Sequence, residues 1–149
     1  MRRPSNRTTV IAVSALVAVC AAAFIAVTLV GHARDRARAD RTPPPLGSHA
    51  ADVLRLPVVA AGPPSLPTGY AKRADGTQVA LGVEDVGEDG PGRAVLLIRD
   101  GADRSLVPKS HTVKVGDTFT EFGVRVKVLR IWTMPNPRHN AVDVQADPA

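Results

Sequence analysis

The chain has 149 residues, enough for about one domain, and only 3% of them are aromatic. The formal charge is +5 at neutral pH, but Arg2, Arg3 and Arg7 supply three of the 19 basic side chains, leaving 16 against 14 acidic ones. With no Lys/Arg patch interleaved with aromatics, that near-balance excludes nucleic acid as an expected partner. The lone cysteine, Cys20, excludes an intrachain disulfide and a thiolate metal cluster.

In chain order, residues 1–9 form a basic tail. From Val10 to Val30 every residue except Ser14 and Thr28 is apolar, and no charge interrupts the run. Twenty-one residues at 1.5 Å rise span about 31 Å, close to a hydrocarbon thickness of about 30 Å. The segment, residues 10–31, therefore reads as an uncleaved signal-anchor transmembrane helix. A cleaved signal peptide, cut after Ala33 or Ala39, is the competing reading, but its apolar core runs only about 7–15 residues. A lipid-modified Cys20 fails because Val19 is bulky and a mostly apolar stretch follows.

Orientation rests on the arginines: three precede the run, and Arg34, Arg36, Arg38 and Arg41 follow it. The first flank is short and purely basic, whereas Asp35 and Asp40 dilute the second. The expected arrangement is a single-pass cell-membrane protein with its C-terminal domain extracytoplasmic, and the lipid bilayer is thus one expected partner. Ser14, Ala18, Ala22 and Ala26 fall on one helical face, a spacing that also suits a helix-mediated homo-oligomer. An alanine-rich run produces such a stripe by chance, which weakens that second reading.

Residues 32–69 read as a charged, then proline-rich, flexible linker. Residues His32 to Arg41 read as a solvated juxtamembrane ramp, the alternative being an extension of the helix by a turn or two with its arginines near lipid phosphates. Seven of the 13 prolines then fall between Thr42 and Pro67: Pro43, Pro44, Pro45, Pro57, Pro63, Pro64 and Pro67. Proline sets φ and removes a donor, so this stretch is expected to be extended, at about 3.1 Å per residue. Val53–Ala60 is a candidate edge strand, since Pro57 argues against a central one. Leu66-Pro67-Thr68-Gly69 lacks the extra residue of a sortase signal, and Asn6-Arg7-Thr8 fits a glycosylation sequon by letter alone.

Residues 70–146 show short apolar runs between turn formers, ahead of a tail at 147–149. Gln78–Val83, Ala94–Arg99, Thr112–Val115, Val124–Trp132 and Ala141–Gln145 read as strands. Gly87 to Gly92, Asp100 to Asp103, Gly116-Asp117 and Pro135-Asn136-Pro137 separate them. The expected fold class is thus one N-terminal transmembrane α-helix plus a small mainly-β domain, a five- or six-stranded sandwich or partly open barrel. In the last long strand Val124, Val126 and Val128 share one face, after which Leu129 and Ile131 take up the opposite parity. A β-bulge near Val128–Leu129 would keep both sets on the core face. Trp132 closes the run and is expected as a core plug rather than a ligand platform.

Val113-Lys-Val-Gly-Asp-Thr-Phe119, followed by Gly123-Val-Arg-Val-Lys-Val128, resembles the strand–Gly-Asp–strand arrangement of small bacterial β domains. Together with the proline-rich spacer, the whole is similar to actinobacterial single-pass membrane-anchored small β-domain proteins of unknown function. That resemblance implies a fold class and brings no catalytic residues.

A search for chemistry finds no phosphate loop, no His-Glu-x-x-His and no Gly-x-Ser-x-Gly elbow. The histidines His32, His49, His111 and His139 are dispersed, and a metal site would need His111 and His139 to meet with carboxylates. The acidic run Glu84-Asp85 with Glu88-Asp89 reads as a solvated hairpin loop rather than a calcium site. No catalytic, cofactor-binding or metal residue is assigned, and no cofactor is expected. The leading functional expectation is a membrane-anchored envelope protein displaying a non-catalytic β module that binds a protein or the cell wall. The alternatives are an accessory subunit of a membrane complex, or a small hydrolase built around His111 and Asp117.

Overall fold

A computed structural model of the chain describes Thr28 and residues 31–47, 52–58, 67–87, 90–101 and 107–149. It divides into two compact units, Met1–Ala39 and Asp40–Ala149.

In the first unit the described helix covers residues 31–39, with His32 to Arg38 all exposed. Its Arg34, Asp35, Arg36 and Arg38 make it too polar for hydrocarbon. Among the described residues no helix is long and apolar enough to cross a membrane. This corrects the expected architecture, in which a transmembrane signal-anchor was the first element. The Val10–Val30 run itself lies outside the described residues apart from Thr28, as do Cys20 and the Ser14–Ala26 stripe.

The second unit corrects the strand count: its described residues form eight strands in two four-stranded antiparallel sheets, not five or six. They are β1 (Val53–Pro57), β2 (Gly69–Lys72), β3 (Gln78–Val86), β4 (Arg93–Asp100), β5 (Lys109–Lys114), β6 (Thr118–Glu121), β7 (Val124–Trp132) and β8 (Ala141–Pro148). One sheet runs β1-β8-β7-β6 and the other β2-β3-β4-β5. Each is built from consecutive hairpins, except that β1 closes against β8, with Leu54 opposite Val144 and Leu56 opposite Val142. The chain changes sheets at two corners, between β1 and β2 and between β5 and β6.

Period-two alternation explains the core. In β7, Val124, Val126 and Val128 are buried while Arg125 and Lys127 are exposed. In β4, Ala94, Leu96 and Ile98 point inward. The buried cluster is wholly aliphatic, with Phe119 and Phe122 only packed against its edge. Tight fit at the first corner requires Gly69: a Cβ there would lie 2.5 Å from Leu56 Cδ2.

The strands beyond the expected set are the short ones. Four-residue β2 and four-residue β6 carry little periodic signal of their own, and tertiary pairing decides them. β1 is an edge strand with Pro57 as its last residue, where a missing N–H disturbs the ladder least. The bulge expected near Val128–Leu129 is present, since the register against β8 shifts between Val128 and Arg130. Its consequence differs from expectation. Ile131 returns to the core opposite Val142, while Leu129 lines a groove on the outer face.

Candidate functional site

The bulge sets up the site. Past it, Arg130 stands opposite Asp143 and Trp132 opposite Ala141. Residues directly opposite on antiparallel strands share a face, and successive residues alternate. Because Ile131 faces the core, Arg130 and Trp132 must face outward. On β1 the same parity turns Arg55 outward opposite Asp143. Three strands thereby deliver Arg55, Asp143, Arg130 and Trp132 to one patch on the outside of the sheet. The expectation that Trp132 plugs the core is therefore overturned.

Asp143 is the hub. Its residue is 3% exposed, so its carboxylate must be satisfied locally. Arg55 supplies a two-pronged contact, Nε to Oδ1 at 2.7 Å and Nη2 to Oδ2 at 2.9 Å. The Trp132 indole N–H donates to the same Oδ2 at 2.8 Å. Burial pushes the Asp143 carboxyl upward. The hydrogen bonds from Arg55 and Trp132, with the charges of Arg55 and Arg130, outweigh burial and hold it below the usual carboxylate range. The bond to Asp143 in turn raises the Arg55 guanidinium above its ordinary value, against the opposing effect of burial. Two cations also approach the Trp132 ring, with Arg55 Cζ 5.5 Å and Arg130 Cζ 5.8 Å from its centroid.

Above this patch is an open groove of about 250 Å³, lined by these four side chains, by Val53 and Leu129, and by Pro44, Pro45, Leu46 and Gly47. The proline residues belong to a strap with no helix or ladder over residues 41–47. Among the described residues two contacts to its backbone carbonyls hold it. The third nitrogen of Arg55, Nη1, donates to the Pro44 carbonyl, and His139 Nδ1 lies 2.9 Å from the Arg41 carbonyl oxygen, so it donates as the Nδ1–H tautomer.

A second polar cluster occupies the β5/β6 corner. His111 stacks on Phe119, with centroids 4.4 Å apart and planes 16° from parallel. Lys109 Nζ contacts Glu121 Oε2 at 2.8 Å and sits 5.3 Å from the Phe122 centroid. His111 Nε2 is 3.6 Å from Glu121 Oε1, too far for a hydrogen bond, and has no hydrogen-bond partner among the described residues. Asp117, proposed with His111 for a hydrolase, instead accepts from the Lys114 backbone N–H at 2.8 Å, within its own turn. The two residues thus have separate partners. His139 is likewise separate from His111, being committed to Arg41.

Among the described residues no three His, Cys, Asp or Glu side chains gather as metal ligands. Of the acidic run, Glu84 falls at an irregularity in β3 between Val83 and Asp85, and Glu88 and Asp89 lie outside the described residues. The site residues that sequence reading missed are Arg55, Arg130 and Asp143. Parity offered a signal: if Ile131 is inward, Trp132 cannot be.

No family model matches the chain, and neither a curated protein nor a solved structure matches it. Nothing in those comparisons bears on the resemblance to actinobacterial proteins. Fold and site together define a β-sandwich that carries an arginine–tryptophan groove on one outer face.

Proposed function

We propose that the chain is a non-catalytic binding module that holds another protein through the outer face of β1, β8 and β7. One observation carries the reading: Trp132 and Arg55 are both locked by the buried Asp143 while their remaining surfaces line an open groove. Tryptophan and arginine dominate binding energy at protein interfaces, because each offers a large contact area with directed donors. Fixing them before a ligand arrives removes part of the ordering cost of association. Nothing reactive stands in the groove; its acid is fully engaged and its cations are guanidiniums, which do not exchange protons near neutral pH.

The test compares proteins retained by immobilised full-length wild type and by Trp132→Ala, with circular dichroism confirming that the variant keeps its sheet. A partner held by the wild type and lost by the variant supports the reading. An identical set on both chains would remove this face as the binding surface. A wall polymer retained in place of any protein would reassign the ligand class.

A further inference from the structure

One wall of the groove is itself proline-rich, and its seat against Arg55 points to the chemistry that the Trp132–Arg55 face accepts. Residues 42–46 read Thr-Pro-Pro-Pro-Leu. Proline fixes φ near −65°, and a residue preceding proline is driven to extended ψ. Thr42, Pro43 and Pro44 each precede a proline, so three consecutive residues are biased to the polyproline II conformation before any contact forms. That helix makes no internal hydrogen bonds and leaves its carbonyls open to outside donors. Arg55 Nη1 supplies such a donor to Pro44, while Trp132 stands in the same groove as Pro44 and Pro45. An aromatic wall beside a fixed donor is the general way proteins read proline-rich segments, since the ligand loses little entropy on docking.

The strap is also lightly held. Of residues 41–47 only Pro43 is partly buried; the rest remain exposed, and Leu46 keeps 39% of its surface. Two contacts to carbonyls and one half-covered ring make a displaceable cover, not a structural strand. Arg55 and Trp132 do not depend on the strap for their positions, because Asp143 holds both from below.

We infer that the Trp132–Arg55 face is a receptor for extended proline-rich peptide, partly covered in cis by residues 42–46 and freed when a partner's proline-rich segment displaces them. This rests on the binding-module reading and names its partner. The internal strap acts as a tethered competitor, at an effective concentration of order millimolar for a short connection. A free peptide meets a face that is fully uncovered only part of the time, and its apparent affinity falls by that fraction.

The experiment titrates full-length chain with a synthetic peptide of residues 41–47, Arg-Thr-Pro-Pro-Pro-Leu-Gly, by calorimetry and by NMR. Trp132 is the chain's one tryptophan, so a single indole N–H resonance reports the groove. The second chain is the triple substitution Pro43→Gly, Pro44→Gly and Pro45→Gly, which alters surface positions of the strap and leaves the sandwich core intact. The expected result is that the peptide moves the indole resonance in both chains and binds the triple variant about tenfold or more tightly than wild type. A peptide with glycine for its three prolines should bind neither. Equal affinity for the two chains, binding that leaves the indole resonance still, or no binding to either would overturn the inference. If the peptide fails while wild type still retains a partner that Trp132→Ala loses, this inference falls and the binding-module reading stands. Loss of both results sinks both. Glycan fragments that shift the indole resonance where the peptide does not would overturn the peptide assignment in favour of a polymer.

Discussion

The outer face of β1-β8-β7 and the β5/β6 corner are made of the same materials: a carboxylate, cations and aromatic rings. They differ in what is buried. At the outer face Asp143 is sealed beneath its partners, and both of its oxygens are in use. At the corner the Lys109 side chain is 55% exposed and His111 Nε2 has no hydrogen bond. A sealed carboxylate cannot be satisfied by water, so it dictates where its donors sit; Glu121, whose side chain keeps 18% of its surface, imposes less. Pre-organisation follows burial, and the first of the two clusters has a groove to use it. The β6–β7 hairpin, whose Phe122 lies beside Lys109 of the corner cluster, carries a backbone cost of its own. Phe122 adopts φ 48° in the two-residue turn it forms with Gly123, a left-handed position that ordinarily favours Asn or Gly.

The largest expected effect tests the hub. Arg55→Ala leaves the Asp143 carboxylate buried with the indole alone, and should cost about 3 kcal/mol in urea denaturation. A loss no greater than that of an ordinary surface substitution would place the two clusters in one class. Asp143→Asn should cost less, about 2 kcal/mol at pH 7, because the amide still accepts from Trp132. Its pH dependence sharpens the contrast. The Asp143 pKa is lowered in the folded chain, so its stabilisation is fully present above the unfolded value of about 3.9 and is lost as pH falls through the folded value. The gap between wild type and Asp143→Asn should therefore close below about pH 4. A gap that persists to strongly acid pH would show that the charge is not what matters.

Trp132→Phe removes one N–H donor while Arg55 still bonds Oδ2, and should cost about 1 kcal/mol by the same measurement. The smallest effect belongs to the corner. Lys109→Ala breaks an exposed ion pair, and its change in stability should stay within about 0.5 kcal/mol and shrink further with added salt. A value near that of Arg55→Ala would mean the corner is organised as tightly as the groove.

Several features were legible in the amino-acid order. The β class, the long β3, β4, β7 and β8, the aliphatic core and the bulge all follow from alternation and its one phase change. These depend on period-two side-chain placement, which a strand carries along its own length. The short β2 and β6 did not announce themselves, because four residues hold too little pattern. The N-terminal expectation fared differently. Length and lack of charge suggested a membrane span, yet the described helix at 31–39 is a polar one.

The site was less legible than the fold for a related reason. Arg55 and Asp143 are 88 residues apart, and nothing local to either predicts their meeting. Their contact exists because β1 returns to pair with the last strand, and that pairing is a tertiary event. Trp132 was visible, but its face was read from hydrophobicity alone, which favours the core, when parity after the bulge turned it outward. By itself the sequence determined which residues are extended and which strand faces are apolar, because sterics and periodicity act between near neighbours. Only the tertiary structure decided that a buried aspartate would join three strands and hold an arginine and a tryptophan beneath a proline strap, since burial is a property of the assembled sheet.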